Sequence, residues 1–566
     1  MTKEESVVFE HYAQHNLEEE IQNHLLHVDC PNTICFMNVG EVIDPNLESP
    51  TSRKVQAHYG PRVIALTTNP KSYVIIDQTT PPEFIEYQEA IRGHPINTIE
   101  VDFSLPQDVL EQIGPQLQGK TIRSYMPHEG LFNRAQALNA DVAGYSENSA
   151  AIQTHLGNKH GFTEALRDSL ITTHLQRIEV IEPETKAAPY SAKEITAKDL
   201  TNEVQQSLDF ISTTYTQLEP TIKKIYKEHN IPYKEHPVGV MVRPSFGGGS
   251  YETFIVIALK DGKLKVKFEG ENKVVTSDEF NALLDNLSKD QTFTVTRLIQ
   301  EIETPGINFV LVPGSEEPFI APIHGQVQKG TMCIGTKSNL QLLDEDKYFY
   351  DGEPTSDVMA RKKYLNKARE LTRYIAKTIG MHGGEGVMGA DIMLTGFFEK
   401  ALKLALEENP NIDNYDQAKK LLVSSVSGAE LNARPTQRTM HLLTQIAIMK
   451  NIDSRGNDPV SYSELIHWYQ ETGRSLHFTS NDKWPITNNE LNYLLKNYQN
   501  LFAGINGKKE GIYIIMPPTE DSPVMGMGIM GQNSDSIKHY LSKLISHTSR
   551  DNKEKQDSMK IVTKMV

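Results

Sequence analysis

Residues 1–150 alternate short β-branched runs with helical patterns, and no other feature of the sequence constrains the fold as strongly. Runs at 33–39, 62–66, 73–77, 98–103 and 121–125 have strand character, and stretches at 82–92 and 106–113 between them have helical character. Strands separated by helices pair in parallel and are covered by those helices, so a parallel α/β sheet is expected here. That unit fills only part of a 566-residue chain, which at ~150 residues per domain corresponds to roughly three to four domains.

The pattern then changes. GNKHGFTEALRDSL at 157–170 reads as the start of a helix, 182–197 as a connector rich in Pro, Lys, Thr and Ala, and 200–230 as one or two amphipathic helices. From Gly239 come strand-like runs, GVMVRP, FIVIALK and KLKVKFEG, the last two joined by an Asp261-Gly262 hairpin turn. Residues 294–311 read as strand, break, strand. Residues 356–380 read as a long helix stopped by Gly380. GADIML, a helical insert at 397–423 and AELNAR follow. A last unit at 458–545 holds GIYIIM, a Met–Gly alternation at 524–531 and a helix. That alternation reads either as a binding stripe or as a packed strand that needs close backbone approach. The expected fold is α/β with α+β, divided at 1–150, 151–297, 298–450 and 451–566.

Composition removes several functions. With 57 Lys and Arg against 73 Asp and Glu, the net charge is −16, which argues against general affinity for nucleic-acid phosphates. The hydrophobic fraction of 38% is too high for a disordered chain. Three cysteines form neither a disulfide framework nor a zinc-ligand spacing, and they favour a reducing compartment. The acidic N-terminal stretch lacks the apolar core of a signal peptide, and no apolar run approaches the ~20 residues of a membrane helix. A cytoplasmic protein with no membrane or nucleic-acid partner is expected. Residues 114–121, GPQLQGKT, match the phosphate-loop pattern GxxxxGK[ST]. Such a loop needs a strand before it and a helix after it so that backbone amides converge on an anion. Here a helical pattern precedes and a β-branched run follows, so the match is rejected.

The residues able to carry chemistry fall in a few segments. Glu430, Asn432 and Arg434 alternate in AELNAR, which on a strand turns all three to one face. A carboxylate, an amide and a guanidinium together suit a hard divalent cation beside a phosphate, or equally a plain solvated face. Asp391, in GVMGADIML, is a second carboxylate within an apolar run. In GVMVRPSFGGGSY, Arg243 precedes Gly247, Gly248 and Gly249, a loop that reads as a flap whose amides close over phosphate or as an ordinary hairpin. LIQEI, with Gln300, Glu301 and Ile302, is a short extended linker ahead of an apolar strand.

Taken in this order, the segments resemble the ATP-grasp superfamily of carboxylate–amine ligases over roughly residues 30–445. GNKHGFTEAL is similar to the family's helix start with a phosphate-contacting lysine, here Lys159. VMVRPSFGGGS is similar to its second phosphate-contacting strand and glycine flap, with Arg243 where Lys is usual. LIQEI is similar to the adenine-reading hinge, with Gln300 where an acid is common. GVMGADIML and ELNAR are similar to the metal strands. The resemblance implies ATP and Mg²⁺, with Asp391, Glu430 and Asn432 as metal ligands and Lys159, Arg243, Gly247, Gly248, Gly249, Gln300, Glu301 and Ile302 at the nucleotide. It makes Arg434 and Arg243 the catalytic cations. It further implies a pre-ATP-grasp domain at 1–150, a lid domain at 151–297, a metal-bearing antiparallel domain at 298–450 and a small C-terminal α/β appendage with a polar tail. The NAR form of the last motif and the unit past residue 458 resemble pheganomycin-type peptide ligases. The implied reaction activates a carboxylate as an acylphosphate and joins it to an amine of an amino acid or peptide; a homodimer is compatible with it. Two alternatives stand beside it: a non-catalytic nucleotide-binding regulator, and acyl transfer to a thiol.

Overall fold

The computed structural model describes residues 32–42, 50–67, 69–105, 109–159, 161–162, 191–245, 253–268, 271–284, 292–311, 318–329, 332–338, 348–350, 353–355, 358–424, 426–432, 434–454, 474–479, 486–519, 522 and 524–548. The N-terminal unit is a parallel sheet of β1 (Thr33–Phe36), β2 (Tyr73–Asp77), β3 (Asn97–Val101), β4 (Thr121–Ser124) and β5 (Asp141–Val142) in the order β3-β2-β1-β4-β5. Helix α1 (Pro82–Arg92) joins β2 to β3 and ends at Gly93, whose φ of 74° is a left-handed cap. The run at 62–66 is not a strand. Gly60–Leu66 is a 3₁₀ helix started by Pro61 and buried at every residue. A short apolar run buried all round carries no period that separates strand from helix. The rejected phosphate-loop match also has a plain structural outcome. Lys120 leads directly into β4, and its Nζ reaches Asn32 Oδ1 at 3.4 Å and the Tyr73 ring.

The second unit is an antiparallel sheet of β6 (Ser191–Thr196), β7 (Gly239–Pro244), β8 (Phe254–Ala258), β9 (Leu264–Phe268), β10 (Glu271–Val275) and β11 (Thr292–Arg297), ordered β10-β9-β8-β7-β11-β6. Part of the expected connector at 182–197 is therefore strand β6, and its residues 182–190 lie outside the described residues. Asp261 and Gly262 make the β8–β9 turn, with Gly262 at φ 80°. One 32-residue helix, α2 (Ala197–Glu228), covers this sheet. Its buried stripe, Leu200, Val204, Leu208, Ile211, Tyr215, Leu218, Ile222 and Ile225, repeats every three or four residues and packs with Val240, Val242, Phe254, Val256 and Val295.

The third sheet is antiparallel, with β12 (Glu301–Glu303), β13 (Gly306–Leu311), β14 (Phe319–Lys329) and β15 (Met332–Ser338). A two-stranded β16 (Tyr348–Tyr350) and β17 (Glu353–Thr355) lies apart from it. Helix α3 (Val358–Met381) follows. It overruns Gly380, and Gly383 at φ 75° takes the left-handed position instead. Strand β18 (Gly386–Thr395) then pairs with β12, β13 and β19 (Val426–Asn432), and α4 (Phe397–Glu408) fills part of the interval before β19. Helix α5 (Gln437–Ser454) leads toward the C-terminal strands.

Those strands, β20 (Arg474–Thr479), β21 (Gly511–Met516) and β22 (Gly526–Gly531), continue the third sheet through a β15–β20 pairing. Helix α6 (Ser534–Thr548) packs behind them. One apolar core joins Val63, Ile64 and Phe84 of the first unit to Met440 and Leu443 of α5 and to Ile512, Ile514 and Ile529. The Met–Gly alternation is packed strand, with all of β22 buried. Tyr513 lies directly opposite Gly528, and a Cβ on Gly528 would fall 2.3 Å from its ring. The ring thus occupies the space the glycine leaves, and its hydroxyl accepts from Gln445 Nε2 at 2.6 Å. A Gly528→Ala protein is expected to lose about 2–3 kcal/mol through overpacking, read as a lower denaturant midpoint at unchanged slope.

Candidate active site

Strands β18 and β19 bring two carboxylates face to face. Asp391 stands directly opposite Glu430 in the register, and Gly389 opposite Asn432, so all three polar side chains share one face. Like charges directly across a ladder destabilise it, so this pair needs cations, and the structure supplies them from other segments. Arg438 Nη2 donates to Asp391 Oδ1 at 2.8 Å, and Lys159 Nζ lies 3.8 Å from Glu430 Oε1. Arg243 Nη1 donates to the carbonyl of Ala429 at 3.4 Å, one residue before Glu430. The backbone N–H of Lys159 donates to the carbonyl of Ser245 at 2.9 Å, which fixes the Lys159 turn at the end of β7.

The electrostatics tie the set together. Burial pushes the Lys159 ammonium pKa down; Glu430 supports the charge, the Arg243 and Arg434 guanidiniums press against it, and Asp391 adds further support. Removal from water pushes the Asp391 carboxyl up, Arg438 opposes that, and Glu430 adds to it. Burial works against the Arg434 guanidinium, but the Tyr125 phenol and Glu430 outweigh it and carry its pKa up. Lys159, Arg243, Asp391, Glu430 and Arg434 are thus neighbours, although they come from widely separated parts of the chain.

Two expected details change. Arg434 does not share the strand face with Glu430 and Asn432, because β19 ends at Asn432 and Arg434 lies beyond it. It still reaches the cluster, from a position beside Tyr125 at the end of β4. Gln300 sits on the linker between β11 and β12, and its side-chain Oε1 accepts from the Phe398 N–H at 2.8 Å, turned toward the start of α4. Glu301 and Ile302 form β12, with Glu301 paired to Thr395 of the strand that carries Asp391. Gly247, Gly248 and Gly249 lie outside the described residues.

Arg438 is the residue the sequence did not single out. It lies in the first turn of α5, and its side chain is only 7% exposed. Its guanidinium fills the space beside Gly306, where any Cβ would sit 1.6 Å from Nη1. Among the described residues its Nε and Nη1 have no partner. The available signal was its place four residues after Arg434.

The donor set at the carboxylate pair is all oxygen: Asp391, Glu430 and the Asn432 amide. This suits a hard divalent cation such as Mg²⁺. Among the described residues no group of three or more His, Cys, Asp or Glu side chains is placed to hold a metal. A cation held here would complete its shell with oxygens of a bound phosphate, as Mg²⁺ commonly does.

In chain order the site is therefore built from a parallel-sheet unit, an antiparallel sheet, a short linker and a second antiparallel sheet whose paired strands carry the carboxylates. No family model and no curated protein matches the chain. Among solved structures it is similar to N5-carboxyaminoimidazole synthetase from Staphylococcus aureus complexed with ADP, at 10% identity and TM-score 0.43 over 93% of this chain and 100% of that one. Biotin carboxylase from Campylobacter jejuni, in a β,γ-ATP complex, gives 10% identity and TM-score 0.42 over 91% of each chain. L-amino acid ligase from Bacillus licheniformis gives 12% and 0.41 over 91% of this chain and 96% of its own. No helix among the described residues is long and apolar enough to cross a membrane.

Proposed function

We propose that the chain is an ADP-forming, ATP- and Mg²⁺-dependent ligase that activates a substrate carboxylate and joins it to the amine of an amino acid or short peptide. The observation that carries this is the charge balance of the cluster. Among the described residues four cations, Lys159, Arg243, Arg434 and Arg438, lie about two carboxylates, Asp391 and Glu430, an excess of two positive charges in a chain of net charge −16. A magnesium-bound triphosphate brings about two net negative charges and so neutralises that excess.

In this function Lys159 and Arg243 hold and orient the phosphates, and Gln300, Glu301 and Ile302 lie along the adenine. Asp391, Glu430 and Asn432 would hold Mg²⁺, which when bound neutralises charge on the phosphate oxygens. A substrate carboxylate oxygen attacks the γ-phosphorus while the bond to ADP breaks. Arg434, set beside Tyr125 and Glu430, stabilises the charge on the transferring phosphoryl group. The amine then attacks the acyl carbon of the acylphosphate, phosphate leaves, and the amine proton passes to solvent. No protein nucleophile is needed.

The test is a panel of amino acids and short peptides incubated in pairs with the protein, ATP and Mg²⁺, scored by ADP release and product mass. ADP release that depends on a carboxylate substrate, with a product equal to the two substrates less water, is expected. Nucleotide binding without substrate-dependent ADP release from any pair would make the protein a nucleotide-binding regulator.

A further inference from the structure

The insert that separates β18 from β19 begins with α4, whose apolar face packs into the core of the second unit through Phe397, Phe398, Ala401 and Leu402. One buried polar network runs through it. Arg297, the last residue of β11, is 1% exposed at its side chain, and Glu399 of α4 is 2% exposed. Arg297 Nη2 pairs with Glu399 Oε2, and Nη1 donates to Glu399 Oε1 at 3.1 Å and to the Tyr215 hydroxyl at 2.9 Å. Nε and Nη2 both donate to the carbonyl of Leu421, near the far end of the insert.

This network is fastened to the backbone of the linker at 298–300. Glu399 Oε1 also accepts from the Gln300 N–H at 2.9 Å. The Leu298 carbonyl meets His236 Nε2 at 3.1 Å and Arg297 Nη1 at 3.3 Å, and the Leu298 N–H donates to the Gly239 carbonyl at 2.8 Å. The Gln300 carbonyl accepts from the Gly396 N–H at 2.8 Å. His236 in turn stacks on Phe398, ring centroids 4.2 Å apart. Both backbone polar groups of Leu298 and of Gln300 are thus held, and α4 supplies or positions most of their partners.

We propose that Arg297 and Glu399 are positioning residues for the nucleotide base: the pair clamps the linker so that the backbone of residues 300–302 is fixed where the adenine edge lies. The proposal rests on the ligase function above, which places the adenine along that linker. The pair bonds to Tyr215, to the Leu421 carbonyl and to the linker backbone, so it acts through the linker on the base and not on the phosphates. The insert then buttresses the linker. Its strength comes from the depth of the pair, since a charged hydrogen bond that fixes a backbone N–H is worth more out of water than on the surface.

The test is calorimetric binding of Mg·ATP and of Mg·tripolyphosphate, which has the phosphates and no base, to wild type and Glu399→Gln. Glutamine keeps the shape and an acceptor for the Gln300 N–H but removes the charge that holds Arg297. Loss of one charged hydrogen bond corresponds to about a tenfold rise in Kd for ATP. Tripolyphosphate affinity is expected to stay within about twofold. Should Glu399→Gln fail to fold, Tyr215→Phe, which removes one partner of Arg297 and leaves the ion pair, is expected to shift ATP alone in the same direction by about threefold. Equal weakening of ATP and tripolyphosphate, or no change in either, overturns the positioning role. Wild-type protein that binds neither ligand overturns the ligase function, and this proposal with it.

Discussion

Glu430→Gln is expected to slow Mg²⁺-dependent ATP turnover on the order of 10²–10³-fold while the thermal unfolding midpoint barely moves. Glutamine is nearly isosteric, and Glu430 is 21% exposed at its side chain, so the fold tolerates the change. The chemistry does not, because one of the two carboxylates facing each other across β18 and β19 is gone. Charge stabilisation by a bound divalent cation is worth several kcal/mol in the transition state, and each 1.36 kcal/mol is tenfold in rate. Removing Glu430 also removes the counter-charge of Lys159, whose ammonium is already pressed by Arg243 and Arg434, so phosphate positioning suffers with metal binding. The check is a steady-state ADP-release assay over a Mg²⁺ titration. Undiminished turnover at saturating substrate and ordinary Mg²⁺ concentration would take Glu430 out of the metal site.

How far the sequence reaches can be judged from these residues. The shared face of Glu430 and Asn432 follows from a strand period of two, and the structure pairs that strand with the one bearing Asp391. Arg434 fits the same spacing on paper, but the strand ends two residues too early and Arg434 reaches the cluster from a turn. Arg438 required knowing that α5 begins at Gln437 and folds its first turn back over Gly306, a contact between residues 132 apart that no local pattern encodes. The Arg297–Glu399 clamp spans 102 residues and is equally silent. The 3₁₀ helix at Gly60–Leu66 has the sequence character of a strand at 62–66 because burial on all sides erases periodicity. The false phosphate loop was legible because it depends only on the order of neighbouring elements. The role of the Met–Gly strand was open because its cause, the Tyr513 ring, lies on a different strand.

The Arg438–Asp391 contact leads to the second large effect. A guanidinium 2.8 Å from Asp391, opposite Glu430, stands where positive charge is needed when no metal is bound. Arg438→Met keeps most of the volume and removes that charge, leaving Asp391 facing Glu430 without its hydrogen-bonded guanidinium and with Lys159 and Arg434 in weaker support. Breaking one side of a buried pair costs about 3–5 kcal/mol; the 17% exposure of the Asp391 side chain favours the lower end, about 3 kcal/mol in chelator. A divalent cation then has no competitor for Asp391, and at a hundred times its Kd a ligand of the native state restores about 2.7 kcal/mol. Denaturant unfolding of both proteins in EDTA and in excess MgCl₂ separates the cases. The variant is expected to be markedly less stable in EDTA and to recover most of the difference in Mg²⁺, whereas wild type gains less because Arg438 already offsets the carboxylates. The same Mg²⁺ increment in both proteins would mean that Arg438 and the metal do not compete for Asp391, and that the guanidinium is a fixed part of the site whether or not the cation is bound.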